Sequence, residues 1–162
     1  MNRLKLIVLL GLVFAVAACG KAETSSAAEA EEGLAAFQKR DFDEAFEILL
    51  PLAEKGDAEA QFKVGFMYVH GRGVDRDFDE AIGWMTKAAE QGYPEAQYNL
   101  ALSYDIGRGV ARDLVEAHKW ATLAVGQGYS SAGELKEDTA SNMTEDELRE
   151  ARKRVSEWRV RQ

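Results

Sequence analysis

Few residues in this 162-residue chain have the type and spacing that chemistry needs. Its two histidines, His70 and His118, leave little room for a histidine-based metal site. Its one cysteine, Cys19, excludes a disulfide framework and any multi-cysteine metal or iron–sulfur centre. Gly128-Tyr129-Ser130-Ser131-Ala132-Gly133 sets serines among glycines, but it lacks the G-x-S-x-G spacing of a nucleophile elbow and no strand precedes it. No G-x-x-x-x-G-K phosphate loop is present. The loops Gly71-Arg72-Gly73 and Gly107-Arg108-Gly109 could turn backbone N–H groups to an anion, although glycines in such loops are equally explained by turns that need positive φ. A net charge of −8 argues against nucleic acid, whose binding rests on Lys and Arg neutralising phosphates. With no catalytic constellation, cofactor motif or metal cluster, the expectation is a non-enzymatic chain without cofactor that works by recognition.

The candidate recognition residues share one helical spacing. Glu59, Phe62, Phe66 and Val69 recur 36 positions later as Glu95, Tyr98, Leu102 and Asp105. The same segment carries a second apolar face at Ala60, Val64, Met67 and Tyr68. A surface helix needs one apolar stripe, so two imply contact on both sides. The second contact is either a neighbouring helix or a partner.

The elements that position these residues come from a repeat. Asp41–Val74 and Asp77–Val110 are identical at sixteen of 34 positions, including the D-F-D-E-A start, the E-A-Q triplet and the G-R-G-V loop. Asp113–Tyr129 continues the register. Such self-similarity marks an array of one supersecondary unit. One helix of each unit starts at Asp41, Asp77 or Asp113, each followed three residues on by Glu44, Glu80 or Glu116, a pattern resembling a capping box. That helix stops at Gly56, Gly92 or Gly128, where a left-handed residue is wanted. The other helix starts near Ala58 and Pro94 and ends at the Gly-Arg-Gly loops, with Val74 and Val110 plugging the loops into the core. Ala45, Ala81 and Ala117 allow close helix approach, as do Ala60, Ala96 and Ala132; Gly65 and Ala101 form another close-contact position, and Trp84 and Trp120 supply bulk.

Ala58, Ala60, Val64, Gly65, Tyr68, Gly71, Gly73, Val74, Asp77, Ala81, Trp84, Ala88, Ala89 and Gly92 follow the pattern of the Sel-one-like repeat (SLR) family, a longer-loop relative of the tetratricopeptide repeat, which this chain resembles over 33–129. The first unit is shorter and closer to a plain tetratricopeptide unit. The resemblance implies an all-α, α/α solenoid of about three helix pairs. The stretch 130–162 is then a degenerate last repeat with a C-terminal capping helix that starts at the box Thr144-Glu145-Asp146-Glu147. That helix is acidic at its start and basic at its end, as the helix dipole favours. Its basic cluster (Arg149, Arg152, Lys153, Arg154) could also meet an anionic lipid or polymer.

The start of the chain reads as an address. Arg3 and Lys5 precede an apolar run from Leu6 to Ala18, shorter than the roughly 20 residues of a membrane span. Val16-Ala17-Ala18-Cys19 resembles the lipobox of bacterial lipoproteins. It implies a signal peptide over 1–18, lipidation of Cys19 and a flexible tether over 19–32. Cleavage there removes Arg3 and Lys5 and no acidic residue, so the charge of −8 becomes −10. The resemblance places the protein in the bacterial cell envelope, lipid-anchored and facing the periplasm. Gly20, where Asp would retain such a protein in the inner membrane, favours the outer membrane.

In the tetratricopeptide relatives the first helix of each pair lines an inner surface that holds extended peptides. Carried over, the groove residues are Glu59, Phe62, Phe66, Val69, Glu95, Tyr98, Leu102 and Asp105. An aromatic row beside carboxylates suits an apolar peptide with some basic character. The leading expectation is a lipid-anchored scaffold that binds a protein or peptide partner in the envelope. Two alternatives stay open: a cell-wall protein that binds or hydrolyses peptidoglycan or β-lactams, and a regulator that sequesters an envelope sensor or secretion component. If the aromatic row captures the partner, Phe62→Ala with Tyr98→Ala weakens capture in a pull-down and leaves the circular dichroism of the helices unchanged.

Overall fold

Helix starts in this chain are set by carboxylates. Asp77 Oδ1 accepts from the amides of Asp79 and Glu80 at 2.9 and 3.0 Å, and Asp113 Oδ1 does the same for Val115 and Glu116. Asp57 accepts from Ala60 N at 2.7 Å. Each satisfies amides that a helix leaves without an internal partner. The computed structural model of the chain describes residues 26–158. Among the described residues there are eight helices and no strand: α1 over 26–39, α2 Phe42–Glu54, α3 Ala58–His70, α4 Phe78–Glu90, α5 Pro94–Ile106, α6 Leu114–Gly126, α7 Ala132–Ser141 and α8 Glu145–Glu157. The signal segment, Cys19 and the first part of the tether lie outside the described residues. Residues 26–32, within the stretch read as a tether, are already helical.

Three details of the expected helix starts differ. Asp41 makes no side-chain cap. The short link between α1 and α2 turns through Arg40 at φ 67° and leaves Asp41 at ψ 80°, away from the extended geometry of Asp77 and Asp113. At Asp77 and Asp113 the carboxylate caps, but the reciprocal arm from Glu80 or Glu116 is not formed. The full box occurs at Thr144, where Glu147 Oε2 accepts from Thr144 N at 2.7 Å and Thr144 Oγ1 accepts from Glu147 N.

From α2 to α6 each helix packs on the helix before it and the helix after it, which makes a two-layer α/α solenoid. One core gathers Ala45, Leu49, Val64, Met67 and Trp84, and α1 joins it through Ala36. The other gathers Phe62, Ala89, Leu100, Trp120 and Leu123, closed at its end by Leu135, Val155 and Trp158. Gly65 lies where a Cβ would stand 3.0 Å from Met85 and 3.2 Å from the Ala81 carbonyl; Ala101 fills the matching position, fully buried.

The E-A-Q triplet has a role that its recurrence alone did not reveal. Gln61 Nε2 donates to the Ala53 carbonyl at 3.0 Å, and Gln97 Nε2 donates to the Ala89 carbonyl at 3.1 Å. Gln91 adds a second tie, donating to the Gly56 carbonyl and to Gln61 Oε1. The loop glycines clamp the other end of each unit. A Cβ on Gly73, at φ 71°, would overlap the Phe42 carbonyl at the start of α2, and one on Gly109 would stand 2.8 Å from the Phe78 carbonyl. Gly83 is the opposite case, exposed in the middle of α4 with open space where a Cβ would go. Chemical denaturation should therefore find Gly83→Ala more stable by about 0.5–1 kcal/mol. Gly73→Ala should be less stable by at least about 1–2 kcal/mol, from the left-handed backbone alone.

Candidate functional site

The 36-residue register puts the eight sequence-read residues on α3 and α5, and the structure divides them. Phe62 is 9% exposed, its ring centroid 5.3 Å from that of Tyr93. It is a core side chain between units and offers little surface to a partner. The other seven are half-buried. Phe66 meets Phe37 of α1 edge-on at 5.6 Å and His70 at 4.3 Å, with the Arg72 guanidinium 5.5 Å above it. Tyr98 stands 5.2 Å from Tyr129. Glu59 lies 4.0 Å from Lys63 Nζ, and Asp105 is held by Arg112, whose Nε donates to its carbonyl at 2.7 Å. Val69, Glu95 and Leu102 complete the face.

Sequence reasoning missed the second ring of each pair. Tyr93 and Tyr129 are spaced by the same 36 residues as Phe62 and Tyr98, and that shared spacing was the available signal. In both units a ring on the inner helix stacks on a ring just ahead of the next odd-numbered helix. Lys63 was missed too; its ammonium lies 5.0 Å from the Phe37 ring and 5.4 Å from the Phe62 ring, a cation beside Glu59.

The loops and histidines are built for packing. Arg72 stacks on Phe42 at 5.0 Å as well as on Phe66, so its side chain is more than a solvated charge. At the C-terminal helix, Arg154 spends its charge internally, bonded to Glu116 of α6 and Glu150 at 2.7 and 2.8 Å, and Arg149 pairs with Asp146. His70 is exposed and stacked on Phe66; partial desolvation of its ring, then Arg72 and Arg108, hold its pKa below the ordinary value. His118 is buried, and its Nδ1–H faces the Lys136 carbonyl at 3.1 Å and Thr139 Oγ1 at 3.2 Å. Burial holds its pKa below the ordinary value against the opposing pull of that backbone carbonyl. Among the described residues no three His, Cys, Asp or Glu side chains group as metal ligands, and no helix is long and apolar enough to cross a membrane.

Paired helices in a fixed register, stitched carbonyls and a half-exposed inner row define an α/α repeat solenoid. The Sel1 repeat model matches residues 27–57, 58–93 and 94–129, and the chain belongs to the Sel1 repeat family. The match takes in the short first unit as well. Among solved structures the chain is similar to c5321, a protective antigen of uropathogenic Escherichia coli strains with an SLR fold, at 32% identity and a TM-score of 0.77 over 82% of this chain and 29% of that one. It is also similar to a Sel1 repeat protein from Oxalobacter formigenes, at 35% identity and a TM-score of 0.62 over 64% of this chain and 41% of that one. The chain thus spans less than half the length of either. No curated protein matches it significantly. The Sel1 fold is commonly a protein-interaction scaffold.

A histidine that is buried neutral resists a proton that the unfolded chain accepts, so folding stability falls as pH drops below the ordinary value of 6.5. Denaturation midpoints of the wild type should decline from about pH 7.5 to about pH 5, and His118→Phe should flatten most of that decline.

Proposed function

We propose that this chain is a lipid-anchored scaffold in the bacterial envelope that faces the periplasm and holds an extended segment of a protein partner along the inner helices α3 and α5. The observation that carries this reading is the register-matched row of half-exposed side chains. Glu59, Glu95 and Asp105 supply carboxylates; Phe66, Val69, Tyr98 and Leu102 supply apolar edges. Such a row suits a partner segment that alternates apolar and basic residues, laid across successive units. The chain's charge of −8 steers basic segments toward it. The lipobox-like Val16-Ala17-Ala18-Cys19 supports anchoring at Cys19, and Gly20 favours the outer membrane. Anchoring raises the local concentration at the membrane, so modest intrinsic affinity suffices.

The double alanine test in the inner row needs revision, because Phe62→Ala would open the core at a cost of about 3–5 kcal/mol. Charge reversal tests the surface without that cost. Crosslinking in cells, followed by identification of the captured protein, should show Glu59→Lys with Glu95→Lys reducing capture by about tenfold while the helical signal is kept. Cys19→Ala should move the protein from the membrane fraction to the soluble one. Equal capture by the charge-reversed chain would reject the inner row as the binding surface.

A further inference from the structure

The last helix pair breaks the packing rule of the others. In the second and third units the two helices of a pair lie directly against each other, α3 on α4 and α5 on α6. Helices α7 and α8 instead each pack on α6 and make little contact with one another. Between them lies a cavity of about 340 Å³, at the lower end of the range for small-molecule sites. Its floor is α6, through His118 and Thr122. Its rim carries Lys136 and Glu137 of α7 and Arg152 of α8, with the apolar side chains Leu148 and Val155 on the α8 wall.

Two features distinguish this space from a packing defect. The first is the floor. Where the first two units place Phe46 and Ile82, both packed into a core, the third places His118. One turn on, Thr122 continues that floor. The imidazole gives the floor a polar ring that the apolar side chains of the other two units lack. The second is charge. Lys136 lies 3.4 Å from Glu137, while Arg152 makes no ion pair among the described residues, so the rim is net positive in a chain of −8. A cleft lined by one excess sign focuses the field at its mouth.

We propose that this cavity binds a small organic carboxylate with a short branched hydrocarbon body. The carboxylate sits above His118 between Lys136 and Arg152, accepting from the two cations, and the hydrocarbon lies against Leu148 and Val155. His118 couples the site to pH. Its Nδ1–H is taken by the Lys136 carbonyl, which leaves Nε2 without a hydrogen bond among the described residues. The charges that face it are Lys136 and Glu137 from α7 and Arg152 from α8. The cations and burial keep it neutral when the cavity is empty, and a bound carboxylate favours its protonation, so affinity rises as pH falls.

Calorimetric titration of the full chain with isovalerate tests this. The expected result is saturable binding at one site, at least about tenfold weaker for the neutral isostere isovaleramide and for Arg152→Gln, because a charge-assisted hydrogen bond is lost in each. Binding should tighten from about pH 7.5 to about pH 5.5. His118→Phe, which restores the ring of the Phe46 position, should fill the floor and abolish binding. Arg152 is an exposed side chain, so its variant folds and keeps the test decisive. No saturable binding of isovalerate at millimolar concentration, equal affinity for the amide, or unchanged affinity in Arg152→Gln would each overturn the proposal.

Discussion

The turn after each outer helix closes on a carbonyl that accepts twice: Ala53 O takes Gly56 N at 3.1 Å, Ala89 O takes Gly92 N at 3.0 Å, and the covering helix adds a second donor to each. Here the donor is a buried glutamine amide, Gln61 on the Ala53 carbonyl and Gln97 on the Ala89 carbonyl. Once these carbonyls are satisfied, the alanines beside them can meet. Ala53 and Ala60 lie in one core, and Ala89 and Ala96 in the next, all nearly without exposure. The small side chains then fix the helix spacing, and Gly65 tightens it further against Met85. At the far end of each unit a loop glycine is pressed onto the first carbonyl of an earlier helix, Phe42 or Phe78. Each unit is tied to the one before it at both ends, which leaves its register a single solution.

The inner face follows from that register. Phe62 on Tyr93 and Tyr98 on Tyr129 stand at nearly the same centroid separation, 5.3 and 5.2 Å, because the backbone beneath them repeats. The rings that could meet a partner are therefore also the rings that join the units. What they present outward is an edge, flanked by carboxylates and by Lys63. Loss of a ring therefore alters stability together with whatever the face is proposed to bind, whereas the carboxylates can change with little effect on the core.

Much of this was legible in the sequence because it depends on residues within one unit. The period of 36, the left-handed glycines after α2, α4 and α6, the capping aspartates at 77 and 113 and the box at Thr144 are all local patterns. What was not legible depends on how separate elements meet. Asp41 has the same sequence context as Asp77 but follows a shorter link, and the turn at Arg40 moves it off capping geometry. Phe62 has the spacing of a surface residue on α3, but Tyr93, beyond the end of α4, covers it. Placing His118 against Ile82 exposes the substitution, yet its consequence depends on how α7 and α8 lie on α6, where the repeat has stopped and its register gives no guide.

The end of an array is where such a departure can occur. An interior helix pair is held on both sides, so a polar residue at its core position would face packed apolar neighbours. The last pair has a neighbour on one side only. It needs a different closure, and here α8 is drawn onto α6 by Arg154, which bonds Glu116 across the interface. With α8 tied to α6 and α7 shortened to ten residues, the two helices need not touch each other. The His118 imidazole is tolerated because it borrows the Lys136 carbonyl and the Thr139 hydroxyl from α7, bonds that an apolar side chain at that position could not make. The regular units thus present the inner row proposed to hold an extended segment, and the irregular one borders a half-open space of small-molecule size, both consequences of where the register is held and where it is released.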